Sequence, residues 1–298
     1  MKQLVPDYSI RACCAALKLT PRGFKAWCLR PDSPDLNQLK IDLLTSFGAH
    51  RGRAGAPKLK HDLAAKGHQL SVRSVGRLMA SLSLKAKGKR KFKHTTDSNH
   101  TLHISDNLVD RDFKAQRPNE KWVGDITYIQ TSDGWLYLAT VIDLYSRRII
   151  GWQMSSRITA KLVTDALKAA YQTRGRPVGV LFHSDRGSQY CSDMFRQFLK
   201  DNNIIQSMSR KGNCWDNAVA ESFFKSLKTE AIYGEPLISR ANMRAEVFEY
   251  IEAYYNSKRR HSSIGYYSPK GLEVRRDAVL LKWNQRTQNS SFAQSRAA

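Results

Sequence analysis

Apolar and polar positions change their period once along this chain of 298 residues. Up to about residue 83 the apolar positions fall at helical spacing. Residues 1–35 carry Pro6, Pro21, Pro31 and Pro34 between short apolar pieces. The stretch at about 9–29 predicts two short helices with no assignable role. Leu36, Leu39, Ile41, Leu43 and Leu44 predict an amphipathic helix. Pro57 opens a second helix with Leu59 and Leu63 at helical spacing, and Gly67 closes it. Ser71 is a good N-cap for a third helix, whose Val72, Val75, Leu78, Met79 and Leu82 share an apolar arc. Arg73 and Arg77 share its other side. Helix, glycine turn and helix with outward arginines has the form of a DNA-reading helix-turn-helix, a form that many helical hairpins share.

From Pro118 the pattern turns to strands. Residues 122–130, 135–144 and 148–154 are rich in aromatic and β-branched side chains. Asp133-Gly134 separates the first two and Tyr145-Ser146-Arg147 the next two, which predicts a three-strand meander. There follow a helix at 160–174, a buried strand at 178–183, a helix at 193–202, a strand at 204–208, and helices at 216–233 and 241–255. The order β-β-β-α-β-α-β-α-α predicts an α/β fold, a mixed five-stranded sheet with helices on both faces.

Composition narrows the partner. Lys and Arg number 49 against 26 Asp and Glu, a net charge of +23, so the surface attracts polyanions and nucleic acid above all. Residues 1–120 hold 23 basic and 10 acidic residues and are the most basic third. Their densest run, 85–93, includes Lys89 and Arg90 and reads as a flexible basic linker able to track phosphates. No apolar run approaches the ~20 residues of a membrane helix; the longest, 134–142, is closed by Asp133 and Asp143. The first residues have no signal-peptide pattern. Five scattered cysteines without a CxxC pair fit free thiols in a reducing cytoplasm.

Three carboxylates stand where chemistry could use them. Asp125 lies inside an apolar strand, a costly place unless it is paired or bound to metal. Asp185 follows a strand of an α/β sheet, where sites form. Glu221 lies on a helix that presents Lys225 and Lys228 on the same side. Carboxylate to metal and lysines to phosphate is a sensible layout there. Each has a structural reading too: a hydrogen-bonded strand Asp, a turn before Arg186-Gly187, and a surface pair of Glu221 with Lys225 worth a few tenths of a kcal/mol. Asp143, Asp165, Asp193 and Asp216 are weaker candidates. Asp216 reads as a helix N-cap, Asp193 as a helix-start acid and Asp165 as a helix-surface charge.

The spacing and flanks of these residues resemble a known family. Asp125, Asp185 and Glu221, with 35 residues between the last two, resemble the DD(35)E pattern of transposases and retroviral integrases. Trp122-x-x-Asp125-Ile126-Thr127-Tyr128, the run from His183 to Tyr190, the run from Ser209 through Glu221 to Glu230, and the tail from Tyr255 through His261 to Pro269 resemble bacterial insertion-sequence transposases. The family is the insertion-sequence-3 family and, within it, the second-reading-frame product OrfB. The resemblance covers about 36–275. One run departs from it: where the family often has Tyr-Gly-x-Arg-Arg, this chain has His50-Arg51-Gly52-Arg53-Ala54-Gly55.

The resemblance implies a ribonuclease-H-like core at 115–232, preceded by a helix-turn-helix domain at 36–84 and the basic linker at 85–114. A helical extension at 233–275 and a polar tail at 276–298 follow. It implies metal-dependent cleavage at insertion-sequence ends and strand transfer by direct phosphoryl transfer. Asp125, Asp185 and Glu221 are the expected catalytic and metal-binding residues. Two Mg²⁺ ions, with Mn²⁺ able to substitute, are the expected cofactors, Asp125 touching both and the other two carboxylates one each. Lys225, Lys228, Arg73, Arg77, Lys89, Arg90, Arg259 and Arg260 are the expected DNA contacts. His100 and His103 have no following cysteine pair, so no structural zinc is expected. DNA, an OrfA product or OrfA–OrfB fusion, and further copies on DNA are the expected partners, on the bacterial nucleoid in the cytoplasm. A structure-selective nuclease on the same fold and a catalytically silent DNA-binding regulator remain the competing readings.

Overall fold

The computed structural model describes residues 9–28, 36–88, 104–110, 112–210 and 218–295, with side chains only to Lys282 in the last helix and without that of Cys13. Lys89, Arg90, His100, His103 and Asp216 lie outside the described residues. The chain divides into two compact units at Lys85 and Ala86. Among the described residues no helix is long and apolar enough to cross a membrane.

The first unit is helical. Helices α1 (Ile10–Ala16) and α2 (Pro21–Cys28) precede α3 (Leu36–Ala49), α4 (Ala56–Ala65) and α5 (Val72–Ser81). Leu39, Leu43, Leu59, Leu63, Val75 and Met79 form its core. The predicted apolar face of α3 is narrower than expected, because Leu36, Ile41 and Leu44 are exposed. The caps follow the sequence: Pro57 sits in the first turn of α4, and Ser71 accepts the Ser74 amide at 3.0 Å to start α5. The turn between them is fastened to α3, since His68 and Lys66 both reach the Asp42 carboxylate and hold its pKa down at about 2. The departing run begins with a buried His50 whose Nε2 lies 2.7 Å from the Asp62 carboxylate on α4. Arg73 and Arg77 are exposed on α5.

The second unit is a five-stranded sheet. Its strands are β1 (Lys121–Thr131), β2 (Gly134–Asp143), β3 (Ile149–Ser155), β4 (Leu181–Ser184) and β5 (Ile205–Met208), in the order β3-β2-β1-β4-β5. The first three form the antiparallel meander, while β4 pairs parallel with both β1 and β5. One face packs on α6 (Ala160–Thr173) and α7 (Asp193–Asp201) through Trp122, Val141, Leu167 and Phe195. The other packs on α8 (Ala218–Leu227) and α9 (Arg240–Phe248) through Ile129, Leu138, Phe223 and Val247. The last element among the described residues is α10 (Pro269–Ser295).

Four expectations are corrected. Strand β4 is shorter than 178–183, because Gly179 takes a positive φ and Val178 is exposed. The helices expected at 216–233 and 241–255 do not stay α-helical: each opens into a π-helical turn, over Lys228–Ile232 and Glu249–Tyr255. Part of the linker belongs to the core: Asp106 accepts the Met208 amide at 3.2 Å, the Leu108 amide donates to Ser207 Oγ at 2.9 Å, and Val109 is buried. These residues cover the sheet at β5, whose backbone groups would otherwise lie open. Of the polar tail expected at 276–298, the part up to Ser295 continues α10 as helix.

Helix α6 lies directly on β3 at Gly151, where a Cβ would stand 2.3 Å from the Ala166 carbonyl oxygen and 2.5 Å from the Ala170 nitrogen. Both neighbours are backbone and cannot turn aside. Gly151→Ala should therefore destabilise the fold by at least the ~1–3 kcal/mol of ordinary overpacking, read as a lower midpoint in urea unfolding.

Candidate active site

Strand pairing sets the site. Strand β1 pairs with β4 only over Lys121–Val123, and the register stops two residues short of Asp125. Between them stands Gly124, where a Cβ would meet Phe182 Cζ at 2.3 Å. The Phe182 ring of β4 thus packs on bare backbone of β1, one residue before Asp125. Asp185 is the first residue after β4, at the carboxyl end of a strand. Its loop is fixed: Asp185 Oδ1 accepts the Gly187 amide at 3.0 Å, and Arg186 Nε donates to the Ser209 carbonyl at 2.6 Å. Glu221 comes from the first turn of α8, whose Ala220, Phe223, Phe224 and Leu227 are buried against the sheet.

Asp125 lies within electrostatic reach of the other two carboxylates. Burial pushes the Asp125 carboxyl well above the usual carboxylate range, and the charges of Asp185 and then Glu221 push it further. The Ile126 amide, donating to Asp125 Oδ1 at 2.7 Å, and Lys228 oppose the rise. Yet Asp125 keeps partial access to solvent, as Asp185 and Glu221 do. Burial lowers the pKa of Lys228 while Asp125 raises it, and its Nζ stands 4.7 Å above the Tyr128 ring.

The donors are all carboxylate oxygens, which suit a hard divalent cation. Among the described residues no three His, Cys, Asp or Glu side chains gather tightly enough to enclose one ion. The carboxylates instead share Asp125, which feels both of the others. That arrangement fits ions that keep waters and substrate oxygens in their shells.

The other candidate residues separate. Lys225 is exposed one turn beyond Glu221. Arg259, expected on DNA, turns inward. Its side chain is 12% exposed, ion-paired with Glu230 at 2.8 Å, and donates to Ser226 Oγ at 2.8 Å. Tyr250 also donates to Glu230, at 2.9 Å. Arg260 is half-buried and donates to the Tyr266 carbonyl at 3.1 Å. Of the weaker acids, Asp143 is fully buried with Arg174 at 3.0 Å, and Asp165 pairs with Lys161 on the surface of α6. Asp193 begins α7 behind the N-cap Ser192. Two neighbours carried no individual reading from sequence. Tyr190 is buried, its phenol pushed well up by burial and then by Asp125 and Asp185. Thr140 sits opposite Asp125 in the β1–β2 register, buried and with its hydroxyl unpaired. Tyr190 lies in the quoted Asp185 run; Thr140 is visible only through strand register.

A mixed sheet of this order, with an acid in β1, a second after β4 and a third on the helix that follows β5, is the frame of an integrase-type core. Residues 115–214 and 221–275 both match integrase core domain families, and residues 35–92 match an HTH-like domain. The transposase InsF for insertion sequence IS3A of Escherichia coli K12 is 47% identical over 272 residues, covering 90% of this chain and 94% of that protein. The transposase for insertion sequence element IS904 of Lactococcus lactis is 43% identical, covering 80% and 97%. Among solved structures, the HTLV-2 integrase catalytic core domain in complex with magnesium covers 53% of this chain and 99% of its own, at 17% identity and a TM-score of 0.41. The chain belongs to the insertion-sequence-3 family of transposases.

Two outcomes test the site's electrostatics. Raised above its unfolded value near 3.8, the Asp125 pKa makes its ionisation cost folding energy once pH exceeds that value. Asp125→Asn should thus stabilise the cation-free protein at pH 7–8. Each kcal/mol of relieved repulsion raises Tm by about 2–4 °C in a unit of this size, read by calorimetry. Arg259→Ala should destabilise by about 3–5 kcal/mol, because it leaves Glu230 buried without its cation; urea unfolding measures it.

Proposed function

We propose that the core cleaves DNA at the ends of an insertion sequence and joins the freed 3′-hydroxyl to a second DNA by direct phosphoryl transfer. The observation that carries this reading is the placement of Asp125 within β1, half-buried, with Asp185 at the end of the neighbouring β4 and Glu221 at the start of α8 both close enough to disfavour its charge. Asp125 would hold two Mg²⁺ ions, or Mn²⁺ in their place, with Asp185 and Glu221 holding one each. Bound there, the ions would polarise phosphoryl oxygens and activate the attacking hydroxyl.

The chain's own groups do the rest. Lys228, half-buried between Asp125 and Tyr128, offers its ammonium to a phosphate beside the scissile bond. Exposed Lys225 offers a second cation one turn nearer Glu221. The Arg186 and Gly187 hydrogen bonds keep Asp185 aimed, so the carboxylates need no rearrangement when DNA arrives. In the first step water attacks phosphorus and the 3′-oxygen leaves. In the second that 3′-hydroxyl attacks a target phosphorus, loses its proton, and a target 3′-oxygen leaves. The helix-turn-helix unit, with Arg73 and Arg77 outward on α5, reads the element's end. DNA is the partner, with further copies of the chain and an OrfA product or OrfA–OrfB fusion completing the assembly.

The test follows labelled duplexes of the element's own terminal sequence in Mg²⁺, in Mn²⁺ and in EDTA. Joined strands should form with either ion and vanish in EDTA. Asp125→Asn, Asp185→Asn and Glu221→Gln should each abolish joining while leaving duplex binding intact. Joining that survives any one of them removes that residue from its role.

A further inference from the structure

An aromatic and cationic surface adjoins the carboxylates. Trp135 opens β2 with 46% of its surface exposed. Its indole stands edge-to-face with Tyr128, ring centres 5.2 Å apart at 89°. Lys228, whose charge reaches Asp125, lies over the same Tyr128 ring at 4.7 Å. Lys228 therefore belongs at once to the carboxylate site and to the aromatic pair.

The support is rigid. At the tip of the β1–β2 hairpin Thr131 Oγ1 donates to the Gly134 carbonyl at 2.5 Å. The Ser132 amide donates to the Ile238 carbonyl at 2.9 Å, and the Arg240 amide to the Asp133 carboxylate at 2.8 Å. Arg240 Nε then donates to the Trp135 carbonyl at 3.2 Å, which holds a second cation at the backbone of this end of β2. Tyr128 lies three residues beyond Asp125 on β1, and Trp135 pairs with Gln130, five beyond. At ~3.3 Å per residue their backbones lie about 10 and 17 Å from that of Asp125 along the strand, and at these odd spacings both rings leave the opposite face of the sheet, so Lys228 is the group that joins them to the carboxylate site. Several nucleotides of a DNA strand leaving the site span that distance, at ~3.4 Å per step.

We infer that Trp135 and Tyr128, flanked by Lys228 and Arg240, form a stacking platform for an unpaired base of a DNA strand that enters the carboxylate site. The inference rests on the phosphoryl-transfer reading for which strand is present, but not for the stacking itself. Single-stranded nucleic acid is bound by aromatic faces for bases and cations for phosphates, and every base has a π face. The occupant is DNA, whose bases and phosphates match the aromatic faces and the cations together in a chain of net charge +23. The base comes from the element's opened end or from the target.

The experiment uses the full chain carrying Asp125→Asn, so that DNA is bound and not consumed. The probe is a duplex with 2-aminopurine in a three-nucleotide single-stranded flap, against the same sequence fully paired. One arm carries the element's terminal sequence and the other an unrelated sequence. The platform should quench the flap's fluorescence and favour flapped over paired DNA. Trp135→Leu, which keeps apolar bulk and removes the ring, should lower that preference on the order of tenfold; Trp135→Phe should restore most of it. Preference in the terminal arm alone assigns the base to the element's end, and preference in both arms assigns it to target strands as well. Equal quenching in Trp135→Leu and the parent, or no preference for the flap, overturns the platform. Strand joining by the unsubstituted chain is measured on the same flapped duplex, alone and with the OrfA product added: its absence in both overturns the phosphoryl-transfer reading and leaves the quenching result standing.

Discussion

Like charges held together against their repulsion are the constraint on which this structure turns. Asp125 sits where burial, Asp185 and Glu221 all disfavour its ionised form. A protein selected for stability alone would place an apolar residue there. The surrounding sheet instead enforces the arrangement. Gly124 lets Phe182 lie against β1, the β1–β4 ladder stops at Val123, and the strands part where the acid stands. The meander and the buried helices supply the stability that this cluster takes away.

The third carboxylate depends on how α8 is held. Its far end opens into a π-helical turn, a feature often found at functional sites. There Glu230 is clamped by Arg259 and Tyr250, and Arg259 also reaches Ser226 on α8 itself. The tail segment with its Tyr, Asn and basic residues is therefore part of the core's frame. Asn256 makes the same point, its side chain exchanging two 2.9 Å hydrogen bonds with the backbone of Ile149 on β3. Glu273 does so again, tying the start of α10 to Arg148, Arg174 and Ser146.

Much of this was legible from sequence, for identifiable reasons. Strands β1 to β3 announce themselves by aromatic and β-branched runs broken at Asp133-Gly134, and Ser71 caps α5 as its position suggests. The three acids stand out as candidates because each occupies a place where a charge is costly or geometrically pointed. Arg259 could not be read correctly, since a basic cluster looks the same whether its members face water or a buried Glu; only the fold brings residue 230 to residue 259. The π-helical turns were hidden because one extra residue in a helical turn leaves the apolar period almost unchanged. The pairing of 104–110 with the β5 region was hidden too, because such backbone contacts leave little trace in side-chain pattern.

The central claim is that Asp125 is common to two cation positions, and counting ions tests it most directly. Mn²⁺ bound to the chain on a duplex of the element's terminus can be counted by electron paramagnetic resonance. The account predicts two ions per active site, one remaining in Asp185→Asn or Glu221→Gln, and none in Asp125→Asn. Two ions retained in Asp125→Asn would contradict it.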